Sequence, residues 1–107
     1  MKANQKNSIA DYRAAMDKAM ANYQQVRIYG GCARIYLQAS GKEAAAELKA
    51  IAAKLGKQFQ KRGPYGLDNV MYMGYDGGAH KLYSQAEAVA VAWREMGLKV
   101  YVEAGED

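Results

Sequence analysis

The period of the apolar positions changes several times along the chain, and each change marks an element. Ile9, Tyr12, Met16, Ala19, Met20 and Tyr23 recur at spacings of three and four, which places them on one face of a helix running to about residue 25. Ser8 with Asp11 three residues later supplies a capping pair, in which side-chain oxygens satisfy free N–H groups at the helix start. Arg13, Asp17, Lys18 and Asn22 fall mostly on the opposite side. Residues 26–38, VRIYGGCARIYLQ, then read as strand, with Ala33, Ile35 and Leu37 alternating with Cys32, Arg34 and Tyr36. Gly30-Gly31 interrupts this run. The pair is either a two-residue hairpin turn or a bulge in one long strand, and the short first arm favours the bulge.

Ser40 and Glu43 repeat the capping pattern before an apolar stripe of Ala44, Leu48, Ile51, Leu55 and Phe59, predicting a helix from residue 41 to about 62. Gly56 lies inside it at a cost of about 1 kcal/mol against alanine and is a place where the regular helix can end early. Gly63-Pro64 stops it in any case. Residues 63–69 are rich in turn formers, and VMYMGY at 70–75 is the most strand-like run of the chain. Asp76-Gly77-Gly78 makes a turn, so that 79–83 returns as an antiparallel partner. Ser84 with Glu87 is a third capping pair, followed by the apolar face Ala86, Val89, Ala90, Trp93 and Met96, with Gly97 placed for a left-handed cap. Leu98, Val100 and Val102 alternate with Lys99, Tyr101 and Glu103 as a closing strand. The polar start, 1–7, and the acidic end, 104–107, are expected to be loose.

The resulting order is α, β, α, β, β, α, β. Without the first helix it is βαββαβ, which predicts an α+β, ferredoxin-like fold with two helices on one face of a four-stranded antiparallel sheet. The amphipathic N-terminal helix is then left to cover an edge, cover the open face or reach a second subunit. The alternative is a three-stranded sheet in which 79–83 is only loop.

With 107 residues, half of them apolar and a quarter charged, the chain is expected to form a single soluble domain (1–107) rather than a disordered segment. The single Cys32 cannot form an intramolecular disulfide. The N-terminus lacks the apolar stretch of a secretory signal, and no run approaches the roughly 18 apolar residues of a membrane span. A cytoplasmic location is the expectation. Fifteen basic residues against eleven acidic ones give a net charge of +4, which permits an anionic partner without requiring one.

Catalytic chemistry finds little footing. His80 is the only histidine, and a nucleophile–base site would need it beside Cys32 or a serine with a carboxylate such as Asp76. No local motif supports that arrangement, and a surface histidine beside a turn explains His80. One cysteine and one histidine do not supply a metal site. Gly74, Gly77 and Gly78 lie between two expected strands rather than before a helix, so no phosphate loop or cofactor is expected.

Binding is better represented. Lys54, Lys57, Lys61 and Arg62 have no acid among them, and the three lysines keep the spacing of one helical face. Tyr65 just beyond offers a stacking ring, so this ridge suits a nucleic-acid backbone as well as it suits a solvated helix end. Nine tyrosines are more than a core of this size needs. Tyr36, Tyr72 and Tyr101, or alternatively Tyr75 and Tyr83, are positioned to line one sheet face. RNA-recognition domains stack bases on such faces, although their glycine–aromatic strand signature is missing here. Tyrosine is equally favoured in protein interfaces.

In size and organisation, and in the 75–107 segment that contains SQAEAVAVAWREMGLKVYVEAGED, the chain resembles small phage- and plasmid-encoded anti-defence proteins, anti-CRISPR inhibitors among them. The resemblance carries no diagnostic motif and so transfers no functional residue. It implies a non-enzymatic inhibitor that blocks a protein or nucleoprotein surface; many such inhibitors are acidic, and the basic charge here departs from mimicry of nucleic acid. A DNA- or RNA-binding module is the alternative expectation. A homodimer would cover the open sheet face.

Overall fold

The computed structural model describes residues 7–26 and 31–106. Helix α1 spans Ile9–Ala21, and its capping box is complete: Ser8 Oγ accepts from Asp11 N at 3.1 Å while Asp11 Oδ2 accepts from Ser8 N at 3.0 Å. It ends at Asn22 rather than near residue 25. Strand β1 is Ala33–Ala39. Val26 lies outside it, donating its N–H to Ser84 Oγ at 2.9 Å. Residues 27–30, and with them the choice between hairpin and bulge, fall outside the described residues.

Helix α2, Lys42–Leu55, is shorter than expected because Gly56 adopts the left-handed conformation (φ 70°) and returns its N–H to the carbonyls of Ala52 and Ala53. Phe59–Arg62 is therefore not helix but strand β2. The interval from Leu55 to Phe59 fits a helix face, but the glycine cap turns the chain and Phe59 packs opposite Met71 instead. Ser40 is not a cap either: Gly41 occupies that position, and Ser40 donates its N–H to Lys99 O at 2.9 Å.

Strand β3 runs over Asp68–Asp76, helix α3 over Lys81–Glu95 and strand β4 over Val100–Glu106. The expected strand at 79–83 is thus the approach to α3 and its first turn. The cause is Asp76, whose carboxylate accepts from the N–H groups of Gly78 (2.9 Å), His80 (3.0 Å) and Tyr83 (3.0 Å) and so caps α3 from upstream. Ser84, expected as the cap, is buried inside the helix and donates to His80 O at 2.6 Å. Residues 104–106 belong to β4 rather than to a tail, and Asn7 is held by a 2.7 Å bond from its Nδ2 to Met96 O.

The strands form one antiparallel sheet in the order β2-β3-β1-β4, so the architecture is α+β with four strands and three helices among the described residues. The register of β1 on β3 shifts between Ile35 and Tyr36, leaving Met73 as an extra residue on β3. On the core side, Ile35, Leu37, Met71, Met73 and Val100 meet Leu48 and Ile51 of α2, Val89 and Trp93 of α3, and Tyr12 and Met16 of α1. The first helix therefore belongs to the same helical layer as the other two, and covers neither an edge nor the open face. Trp93 fixes it there: its indole N–H donates to Tyr12 O at 3.0 Å and its ring meets Tyr12 edge-on at 5.6 Å.

Candidate binding face

The side of the sheet away from the helices is built from the other set of alternating residues. Arg34, Tyr36 and Gln38 of β1 stand opposite Tyr75, Tyr72 and Val70 of β3, and opposite Gly105, Glu103 and Tyr101 of β4. Gln60 and Arg62 of β2 extend the row opposite Val70 and Asp68. Tyr36, Tyr72 and Tyr101 thus share one face, and Tyr75 joins them. Tyr83, the other alternative, lies on α3 instead.

These tyrosines have unequal tasks. Tyr36 is buried and packs on Tyr72 with ring centroids 5.4 Å apart and planes tilted by 53°, so the pair forms a rigid floor. Tyr101 and Tyr75 are about half exposed, at 49% and 51%. Arg94 reaches Tyr101 from α3, with its guanidinium carbon 4.9 Å from the ring centroid and Nη1 donating to Val100 O at 2.8 Å.

Tyr65 belongs to this face as well, although it comes from the loop between β2 and β3. Pro64–Gly66 forms a tight turn in which Tyr65 itself has a positive φ of 62°. The turn sends its side chain over Gly105, where any Cβ would run into the tyrosine ring. The Tyr65 hydroxyl accepts from Arg34 Nη1 at 3.1 Å. Its ring is 48% exposed and crosses the face as a strap. The glycine at 105 is the only sequence trace of this contact, and nothing local to residue 65 announces it.

The basic ridge does not stay together. Lys54 is in the last turn of α2, Lys57 follows the Gly56 cap, and Lys61 and Arg62 lie on β2. A shared helical face is therefore excluded. Successive strand residues point to opposite sides, so Arg62 joins the tyrosine face while Lys61 points to the helix side.

His80 occupies the position just before α3 in a left-handed conformation, and its N–H belongs to Asp76 as described. Burial pushes the Asp76 carboxyl up, but the three N–H donors and the nearby His80 outweigh it and hold the group below its usual range. This is the chemistry of a structural cap. Among the described residues no group of three or more His, Cys, Asp or Glu side chains is placed to hold a metal ion. No helix among the described residues is long and apolar enough to cross a membrane. A separate concavity of about 660 Å³ lies between α1 and α3, walled by Ala19, Ala88 and Val91 and edged by Lys18, Glu87 and Glu95.

No protein-family model, curated protein or solved structure matches the chain.

Proposed function

We propose that the protein is a non-enzymatic binding protein that uses the helix-free sheet face to occlude a protein or nucleoprotein surface. The carrying observation is the collection of Tyr36, Tyr65, Tyr72, Tyr75 and Tyr101 on the sheet face that none of the described helices covers, with Lys54, Lys57 and Lys61 off it. The packed Tyr36–Tyr72 floor lowers the entropy lost on binding, and half-exposed tyrosines beside arginine are the residue types that dominate protein interfaces. The face also mixes signs, setting Arg34 and Arg62 against Asp68 and Glu103. That balance suits a protein surface better than a phosphate chain, which calls for a stripe of one sign. Occlusion is the mode of action implied by the likeness to anti-defence inhibitors, and interference with a defence system is the role we assign. We read the arrangement after α1, with sheet order β2-β3-β1-β4, as ferredoxin-like.

A second reading, a single-strand nucleic-acid platform, is favoured by the aromatic pair Tyr36 and Tyr72 on the two central strands, with Arg62 and Tyr65 alongside. Affinity capture from a bacterial lysate separates the two. The wild type and a Lys54→Ala/Lys57→Ala variant are expected to recover the same stoichiometric partner, and a Tyr75→Ala/Tyr101→Ala variant to lose it. Capture that survives loss of both tyrosines sinks the face. Nuclease-sensitive capture, with submicromolar oligonucleotide binding that falls steeply with salt, transfers the face to nucleic acid.

A further inference from the structure

The two edges of the sheet are finished differently. The β2 edge is four residues long, carries Lys61 and Arg62, and is followed by Gly63-Pro64, so charge and proline blunt it against further pairing. The β4 edge is seven residues long and holds an unbroken register on β1 from Val100↔Ala39 to Glu106↔Ala33, with no bulge and no proline.

The backbone direction along β4 follows from one bond. Ser40 donates its N–H to Lys99 O, so Lys99 faces β1. By alternation Tyr101, Glu103 and Gly105 also direct their N–H and C=O groups to β1, and Val100, Val102 and Ala104 direct theirs outward. Val100 is already engaged, its N–H with Leu98 O at 3.0 Å and its carbonyl with Arg94. Among the described residues, Val102 and Ala104 have no strand partner on this side, because β4 pairs there with β1 alone.

We infer that this outer edge of β4 is a strand-pairing site for a second copy of the chain. The distribution of charge along the strand suits a second copy. Its beginning is basic, with Arg94 held against Val100 and Lys99 just ahead; its second half carries Glu103. A two-fold axis normal to the sheet sets two β4 strands antiparallel and brings the basic beginning of each against the acidic half of the other. Keeping both helical layers on the same side restricts the register to residues of equal parity. Centring on Glu103 would oppose that carboxylate to its own copy, which is unfavourable. Centring on Ala104 would oppose Glu103 to Gly105 and waste the charge.

Centring on Val102 matches the charges and pairs the outward backbone groups except the Ala104 carbonyl, whose counterpart, the Val100 N–H, is held by Leu98 O. The Val102 N–H of each chain donates to the Val102 carbonyl of the other, and Ala104 N–H donates to the Val100 carbonyl of the copy, which accepts it beside the bond it already takes from Arg94. Tyr101 faces Glu103 of the copy, and the guanidinium poised over the Tyr101 ring lies beside that carboxylate. Symmetry makes the ion pair twice. This pairing does not rest on the binding-face reading, and its test involves no other partner.

The test is light scattering and sedimentation of the full chain over a concentration series, with amide exchange followed at Val102 and Ala104. The wild type is expected to dimerise, with both amides exchanging more slowly as concentration rises. Val102→Pro removes one outward N–H without touching a bond to β1, and proline is tolerated at such edge positions. It is expected to weaken dimerisation at least tenfold while circular dichroism stays unchanged. Arg94→Glu and Glu103→Arg should each weaken the dimer, and the double exchange should restore it. A wild type that remains monomeric overturns the inference, even if a different protein protects the β4 amides. A dimer indifferent to Val102→Pro also overturns it, placing the interface elsewhere, as in the concavity between α1 and α3.

Discussion

A carboxylate that is only 4% exposed persists in a core when its oxygens are fully engaged. Asp76 meets that condition through the N–H groups of Gly78, His80 and Tyr83. Its folded pKa lies below the ordinary aspartate value, so its contribution is complete above about pH 4 and is lost as pH falls through the lower, folded value. Asp76→Ala leaves the loop and first-turn donors without their acceptor and should cost roughly 2–4 kcal/mol at neutral pH. Thermal melts from neutral pH into this acid range should show the gap between wild type and variant closing as the carboxylate protonates. Tyr12 poses the opposite case. Burial raises its pKa to about 12, with the Glu47 carboxylate adding to the rise and the Asn7 hydrogen bond opposing it. A raised value means that the stabilisation holds below about pH 10 and disappears as pH climbs through the folded value. Tyr12→Phe loses the 2.8 Å bond to Glu47, should cost about 1 kcal/mol at neutral pH and should flatten the alkaline limb of the stability curve. The burial of both residues was only partly legible beforehand: Tyr12 sits on the apolar stripe of α1, whereas Asp76 reads as a turn former, because its donors lie up to seven residues away.

Element boundaries were the less legible level. The apolar stripe of α2 runs past its true end because Phe59 keeps helical spacing from Leu55, and only the conformation of Gly56 separates helix from strand. β2 has one apolar residue in four, as a charged edge strand should, so it shows no alternation to detect. The Ser40 and Ser84 patterns were chemically sound, but Ser40 N–H extends the β1–β4 ladder and Ser84 bonds within α3, leaving Gly41 and Asp76 to shape those helix starts. Gly56 offers a clean test of this level. A Cβ there would meet no atom within 4 Å, so Gly56→Ala probes the backbone alone. Forcing an L-residue into the left-handed region should cost about 1–2 kcal/mol, read as a lowered thermal midpoint, with Gly56→Asn milder.

At the scale of the whole molecule, period-two alternation made the company of Tyr36, Tyr72 and Tyr101 legible, since strand parity survives small errors in strand ends. The dispersal of Lys54, Lys57 and Lys61 was not legible, because it hangs on the cap at Gly56. Among the described residues the sheet has four strands through an exchange: 79–83 left it and 59–62 entered it. Tyr65 was singled out as a neighbour of the lysines, and it turned instead to the face defined by Gly105 and Arg34, a relation between distant segments that no local pattern encodes.

The position of β1 between β3 and β4 also sets the order of events at the ribosome. Strand 33–39 is translated before both of the segments that flank it, 68–76 and 100–106. One side of that strand stays open while α2 and β2 are made, and the other stays open until 100–106 have been made. Closing such distant pairs carries a loop-entropy cost before the contacts repay it. The nascent chain therefore presents an apolar, unpaired strand until those segments emerge, and a pause downstream of Ala39 prolongs the interval in which chaperones, or other copies on the same polysome, can reach it.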